Sequence, residues 1–131
     1  MNLPHLRIIA TGGTIAMRID PASGGPIPAL SGAELVTALP GLQFLGQIEV
    51  EEFANIPSEH MRPEVWLGLA RRVLAISADH SADGLVVLHG TDTMEETAFF
   101  LDVTAPTEIP VVFTGACLLY TSDAADERSS V

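Results

Sequence analysis

The sequence predicts an α/β domain: an open, mostly parallel sheet with helices on both faces, Rossmann-like in outline. Three observations carry this. Short apolar runs alternate along the chain with longer stretches of helical period. Leu85–Leu88 and Pro110–Phe113 are apolar throughout and Leu6–Ala10 nearly so, which marks strands buried on both faces. Two of them, Leu6–Ala10 and Leu85–Leu88, run directly into glycine-bearing turns, where a parallel strand leaves for its crossover.

Taken in order, Leu6–Ala10 (LRIIA) is a buried strand closed by the sharp turn Thr11-Gly12-Gly13. Met17–Leu30 (MRIDPASGGPIPAL) is Gly/Pro-rich without a period and predicts a loop. Ser31-Gly32-Ala33-Glu34 has the S-x-x-E form of a capping box, so a short helix starts there and stops at Pro40-Gly41. Ile48–Phe53 (IEVEEF) is the next strand. Pro63 suits the first turn of a longer helix. On that helix Val65, Leu69, Arg72, Val73 and Ile76 fall near one face, which Trp66, Leu67 and Ala70 widen. Asp83-Gly84 leads into the strand Leu85–Leu88. A helix follows over Met94–Leu101, and Pro110–Phe113 is a last buried strand. No internal repeat is visible.

At 131 residues the chain is one domain's worth or less, 47% of it apolar, and a mean hydropathy of +0.34 argues against disorder. No apolar run is long enough to cross a bilayer. The first residues, MNLPHLRIIATGG, lack the basic region of a signal peptide, so the expectation is a soluble, cytoplasmic protein with no membrane partner. Six basic residues stand against 17 acidic ones, with no lysine at all, which argues against a nucleic-acid face. Acidity by itself names no substrate. The single cysteine, Cys117, allows no internal disulfide. His5, His60, His80 and His89 show neither HxH nor HExxH spacing, so neither metal nor cofactor is expected.

The last fifteen residues, CLLYTSDAADERSSV, turn abruptly polar. Cys117–Glu127 can be back-translated into a sequence resembling a transposase-type sequencing adapter read in frame. Residues 1–116 are therefore expected to be the native unit and 117–131 a non-native, adapter-derived tail; a genuine unstructured tail is the alternative. Without the tail the body keeps 5 basic and 14 acidic residues, so it stays acidic.

Two threonine-bearing turns could carry chemistry. Thr11-Gly12-Gly13-Thr14-Ile15-Ala16 presents a hydroxyl, Thr14, at the carboxyl end of a strand, where open α/β sheets bind ligands. A Gly-Gly turn can equally be structural, or a poor phosphate loop without the P-loop lysine. The second turn, His89-Gly90-Thr91-Asp92-Thr93-Met94-Glu95-Glu96-Thr97, also leaves a strand and enters a helix. Asp92 could cap that helix, and Glu95 and Glu96 could complement its dipole. A hydroxyl beside a carboxylate, Thr91-Asp92, opposite another threonine turn could instead activate a nucleophile.

ATGGTIA at Ala10–Ala16 and HGTDTMEETAFFLD at His89–Asp102 resemble signature segments of the asparaginase/glutaminase family, in the family's order and at a family-like separation. NIPSEHM at Asn55–Met61 resembles its Asn-Ile-x-Ser-Gln/Glu segment. The resemblance covers Leu6–Ala116 and implies the first part of a two-domain hydrolase, cut inside its N-terminal domain. It implies that Thr14 attacks the side-chain amide of L-asparagine and that Thr91 is the second active-site threonine. Asp92 would bind the substrate α-ammonium and join a hydroxyl–lysine–carboxylate group. Ser58 would hold the α-carboxylate, with Glu59 where the family has Gln or Glu, leaving room for L-glutamine. A plain turn role for Ser58 stays open, and His60 and His89 read as structural. The resemblance further implies a homotetramer or dimer at full length.

Three features depart from the family pattern. Gly25-Pro26-Ile27-Pro28 puts Pro26 where the family's loop offers a tyrosine, and the lone tyrosine, Tyr120, lies in the tail. The family's catalytic lysine has no counterpart here, and its second domain is absent. The 131-residue chain alone is therefore expected to be inactive. The alternatives are the asparaginase-like subunit of a tRNA-dependent amidotransferase, a non-catalytic amino-acid-binding module using Asp92 and Ser58 and, last, a nucleotide-binding domain.

Overall fold

The computed structural model describes residues 2–13, 17–19, 21–24, 26–28 and 31–116. Four strands form one parallel sheet: β1 (His5–Ala10), β4 (Gln47–Glu52), β5 (Gly84–Leu88) and β6 (Val111–Thr114), in the order β4-β1-β5-β6. Helix α1 (Gly32–Thr37) leads into β4, α2 (Pro63–Ala78) joins β4 to β5, and α3 (Met94–Thr104) joins β5 to β6. The chain thus leaves β1 to one side, crosses back over it, and continues on the other side. That reversal makes the carboxyl ends of β1 and β5 a topological switch point, where open α/β sheets hold ligands.

Both faces of β1 are buried, which explains why its residues are apolar apart from the ion-paired Arg7 and the edge residue His5. Ile9 packs with Leu69, Val73 and Ile76 of α2 and Leu101 of α3, while Ile8 and Ala10 pack on the other face with Val36 of α1, Leu42 and Val50. Leu69 and Ile9 are wholly inaccessible; cutting such a leucine to alanine costs about 2–5 kcal/mol. Helix α1 starts on the capping box expected for it: the Glu34 N–H donates to Ser31 Oγ and the Ser31 N–H donates to the Glu34 carboxylate.

The acidic alternates of β4 are paired as well as solvated. Glu49 lies beside Arg7 of β1 in register, and the Arg7 guanidinium donates to it at 2.6 Å. Arg72 of α2 donates through Nε to both oxygens of Glu51, at 2.7 and 2.9 Å. This is why Arg72 sits on the inward side of α2. Leu67, expected to widen that helix's apolar stripe, is instead exposed, because at 3.6 residues per turn it points away from the side that buries Leu69, Ala70, Val73 and Ile76.

Two helix ends and one loop differ from expectation. Helix α3 runs three residues past Leu101, to Thr104, since nothing in DVT stops it before Pro106. Helix α1 ends at Thr37, ahead of Pro40, and a 3-10 turn follows at Leu42–Phe44. The Met17–Leu30 loop contains two short strands, β2 (Met17–Ile19) and β3 (Pro26–Pro28), paired antiparallel. Three-residue strands are too short to leave a period, and a two-stranded ribbon has outer edges on which proline is tolerated.

On the β6 side, Phe99 and Val103 of α3 and Val112 of β6 are exposed, beside a groove of about 680 Å³ lined by α2, α3 and β6. Among the described residues no helix is long and apolar enough to cross a membrane.

Candidate active site

The three connections at the switch point are tied together by backbone bonds. The Ala10 carbonyl accepts from the N–H groups of Phe53 and Ala54, at 3.0 and 3.1 Å. Thr11, buried, donates both its N–H and its hydroxyl to the Leu88 carbonyl, at 3.0 and 2.8 Å. Its own carbonyl accepts from Ile56 N–H at 3.1 Å. One residue thereby joins the ends of β1 and β5 to the segment leaving β4.

The glycines that follow are required twice over. Gly12 and Gly13 have φ of +103° and +88°, a region that side chains rarely adopt. A Cβ on Gly12 would lie 2.6 Å from the Ile56 nitrogen, and one on Gly13 would fall on the Gly90 backbone. The two signature turns are therefore in direct backbone contact. Thr14, the next residue, lies outside the described residues, as does the tail from Cys117.

Ser58 and Asp92 meet across this junction. Ser58 opens a 3-10 turn (Ser58–His60) and is 3% exposed. Its Oγ accepts from the Asp92 N–H at 3.2 Å and lies 3.5 Å from the Asp92 carboxylate. Thr93 Oγ1 donates to the Ser58 carbonyl at 2.8 Å. The helix cap of α3 is Thr93, not Asp92, so the carboxylate of Asp92 is free to face Ser58. Thr91 stands beside them, half-buried. Glu59 is exposed next to Ser58, and among the described residues its carboxylate has no hydrogen-bond or ion-pair partner. Ser58, Thr91 and Asp92 are brought together, then, while Glu59 is adjacent without being tied in.

Behind them, His89 is fully buried. Its Nδ1 lies 2.6 Å from the Gly90 carbonyl and its Nε2 lies 2.8 Å from Thr97 Oγ1. Desolvation pushes its pKa below the usual imidazole range, partly opposed by the Gly90 carbonyl and by Glu95 and Glu96. Among the described residues, no group of three or more His, Cys, Asp or Glu converges as a metal cage.

Sequence reasoning passed over Thr11, Thr97 and Gly115. A Cβ on Gly115 would collide with the His89 carbonyl and lie 3.4 Å from the Thr91 methyl, so that glycine shapes the wall beside Thr91. Its signal was available as a glycine directly after a strand. Thr97 carried a weaker one, a polar residue on the inner side of a helix.

The fold and the site together define a class: a doubly wound α/β domain with paired glycine turns and a hydroxyl–carboxylate pair at its switch point. The model of one family, described as Asparaginase, N-terminal, matches residues 5–130, and the chain belongs to that family. It is 44% identical over 129 residues to L-asparaginase 2 of Escherichia coli, covering 96% of this chain and 36% of that protein. It is 46% identical over 115 residues to a glutamyl-tRNA(Gln) amidotransferase subunit of Methanothermobacter thermautotrophicus, covering 88% and 26%. A crystal structure of a probable cytoplasmic L-asparaginase from Campylobacter jejuni superposes with a TM-score of 0.75 and 41% identity, covering 86% of this chain and 32% of that one. The chain thus spans between about a quarter and about a third of the length of these relatives.

Proposed function

We propose that this chain forms the first part of an L-asparaginase-type amidohydrolase that converts the side-chain amide of L-asparagine, and secondarily L-glutamine, into the acid and ammonia. The observation that carries the reading is the Ser58–Asp92 pair, held against the Gly13–Gly90 contact, so that a carboxylate and a hydroxyl face the place where two threonine turns meet. In this reading Asp92 takes the α-ammonium of the amino acid and Ser58 its α-carboxylate, with Glu59 at the rim. The Thr14 hydroxyl adds to the amide carbonyl, the C–N bond breaks, and nitrogen leaves with a proton as ammonia. Water then adds to the resulting Thr14 ester, releasing the acid and restoring the hydroxyl. Backbone N–H groups steady the oxyanion in both steps, and Thr91 with Asp92 supplies the second hydroxyl–carboxylate group.

The 131-residue chain is inactive alone in this reading, since exposed Phe99, Val103 and Val112 leave its sheet edge unfinished. The full-length protein is a cytoplasmic homo-oligomer, tetramer or dimer, needing no metal or cofactor. Residues 1–116 form the native unit and 117–131 an adapter-derived tail, although the family match continues to residue 130. Resequencing the gene from an independent clone, and finding this same tail there, would reject the last point.

The identity to a glutamyl-tRNA(Gln) amidotransferase component favours one second reading, ammonia release coupled to tRNA. Both are tested on the full-length protein by ammonia release from L-asparagine and L-glutamine, with a Thr14→Ala variant alongside. Release without tRNA that vanishes in the variant supports the hydrolase. Release that requires aminoacylated tRNA supports the amidotransferase reading. A folded protein that binds the amino acid without releasing ammonia is a binding module instead.

A further inference from the structure

Three side chains from three elements form a buried hydrogen-bond chain behind the site, and the acyl-transfer scheme leaves them unused. Trp66 of α2 donates its indole N–H to Thr97 Oγ1 of α3 at 2.8 Å. Thr97 Oγ1 lies 2.8 Å from His89 Nε2, just past β5, and His89 Nδ1 lies 2.6 Å from the Gly90 carbonyl. His89 and Thr97 have no solvent exposure. A carbonyl can only accept, so Nδ1 carries the proton; a neutral imidazole then accepts at Nε2, and the Thr97 hydroxyl donates to it. Thr97 Oγ1 is thus acceptor to Trp66 and donor to His89. The Thr93 carbonyl, 3.0 Å from the same hydroxyl, keeps the Thr97 backbone N–H as its donor at 3.1 Å. Burial of His89 lowers its pKa and so favours the neutral ring this arrangement needs.

The far end of this chain reaches the site. No described peptide bond is cis, and in a planar trans peptide the carbonyl and the following N–H point in opposite directions. Holding the Gly90 oxygen on His89 therefore turns the Thr91 N–H away from the buried ring. Among the described residues that N–H has no acceptor. We propose that Thr97 is a positioning residue for the amide hydrolysis: anchored by Trp66 and acting through His89, it fixes the Gly90–Thr91 peptide so that its N–H is presented to the substrate.

The inference rests on the amidohydrolase reading, and its test separates the two. In the full-length protein, Thr97→Val replaces the hydroxyl with a methyl at nearly constant shape, and Thr97→Ser restores the hydroxyl. The readouts are kcat and KM for L-asparagine and the imidazole nitrogen-15 shifts of His89. Since losing an oxyanion donor costs roughly 100-fold or more and misaligning one costs less, Thr97→Val should lower kcat about tenfold with KM within about twofold. Thr97→Ser should return kcat to within about twofold of the parent. The shifts should report one tautomer, protonated at Nδ1, in both proteins, with the unprotonated Nε2 signal displaced in Thr97→Val, where it loses the hydroxyl that donates to it. Unchanged kcat in Thr97→Val, equal damage in Thr97→Ser, or a parent-like Nε2 shift in the valine variant would each overturn the proposal.

Should Thr97→Val fail to fold, Trp66→Phe removes the anchoring donor while keeping the stack on Phe100, whose ring centroid lies 5.5 Å away. It should lower kcat about threefold at constant KM, a loosened rather than lost donor; no change overturns the proposal. A parent inactive on both amides rejects the amidohydrolase reading, and with it the catalytic part of this inference; the nitrogen-15 shifts still decide whether the hydrogen-bond chain exists.

Discussion

Gly13 and Gly90 stand backbone to backbone, so close that a Cβ on Gly13 would overlap the Gly90 backbone. Two turns 77 residues apart thereby share one wall, and no side chain intervenes. The spacing itself is visible elsewhere at the junction, in the Thr11 hydroxyl that reaches the Leu88 carbonyl across 77 positions.

Gly13→Ala combines this overlap with a residue at φ +88°. Left-handed strain costs about 1–3 kcal/mol and overpacking about as much again. The expected outcome is a urea midpoint lowered by the equivalent of about 2–6 kcal/mol, together with loss of activity at full length. A midpoint equal to the parent's would mean the two turns part easily.

Ser58→Ala removes the oxygen that accepts the Asp92 N–H and faces its carboxylate. A hydrogen bond to a charged group contributes about 1.5–3 kcal/mol. KM for L-asparagine should therefore rise about tenfold or more while kcat changes little. A fall in kcat at constant KM would instead place Ser58 in the chemical step.

His89 supplies a pH signature. Its folded pKa is depressed by burial, so the unfolded chain binds the proton more readily than the folded one. The resulting stability is fully present above the ordinary imidazole pKa of about 6.5 and is lost as pH falls through the lower, folded value. The urea midpoint should fall between about pH 7.5 and pH 5, and His89→Asn, which can still donate to the Gly90 carbonyl, should flatten that slope. Equal slopes in parent and variant would assign the effect to carboxylates.

Arg7 joins a buried central strand to two glutamates, at 2.6 Å from Glu49 and 3.7 Å from Glu51, yet among the described residues its Nε has no acceptor. Because Glu49 is half exposed, Arg7→Ala should cost about 1–3 kcal/mol rather than the full penalty of a broken buried pair. Arg7→Met, which keeps the apolar stem, should recover roughly half of that. Paired urea unfolding curves give both values; identical costs would show that the charge, not the stem, carries the effect.

Helix and strand positions were readable because their signals are local. The capping box at Ser31–Glu34, Pro63 at the start of α2 and the apolar run in β1 each act within a few residues. The short β2–β3 pair was not readable: three residues carry no period, and proline lowers any strand signal. Asp92 illustrates the limit at the site. As a sequence it reads equally as a helix cap; in the fold Thr93 takes the cap and Asp92 turns to Ser58.

The sequence by itself determined an alternating α/β chain, its acidic balance, the two glycine turns and the threonines and carboxylate they carry. Only the tertiary structure decided that β1 lies between β4 and β5, and hence that Ser58 meets Asp92 across 34 residues and Gly13 meets Gly90. Periodicity reports which side of an element is buried, but strand order depends on which buried faces fill each other's space. That is a long-range packing choice, and no local run of residues records it.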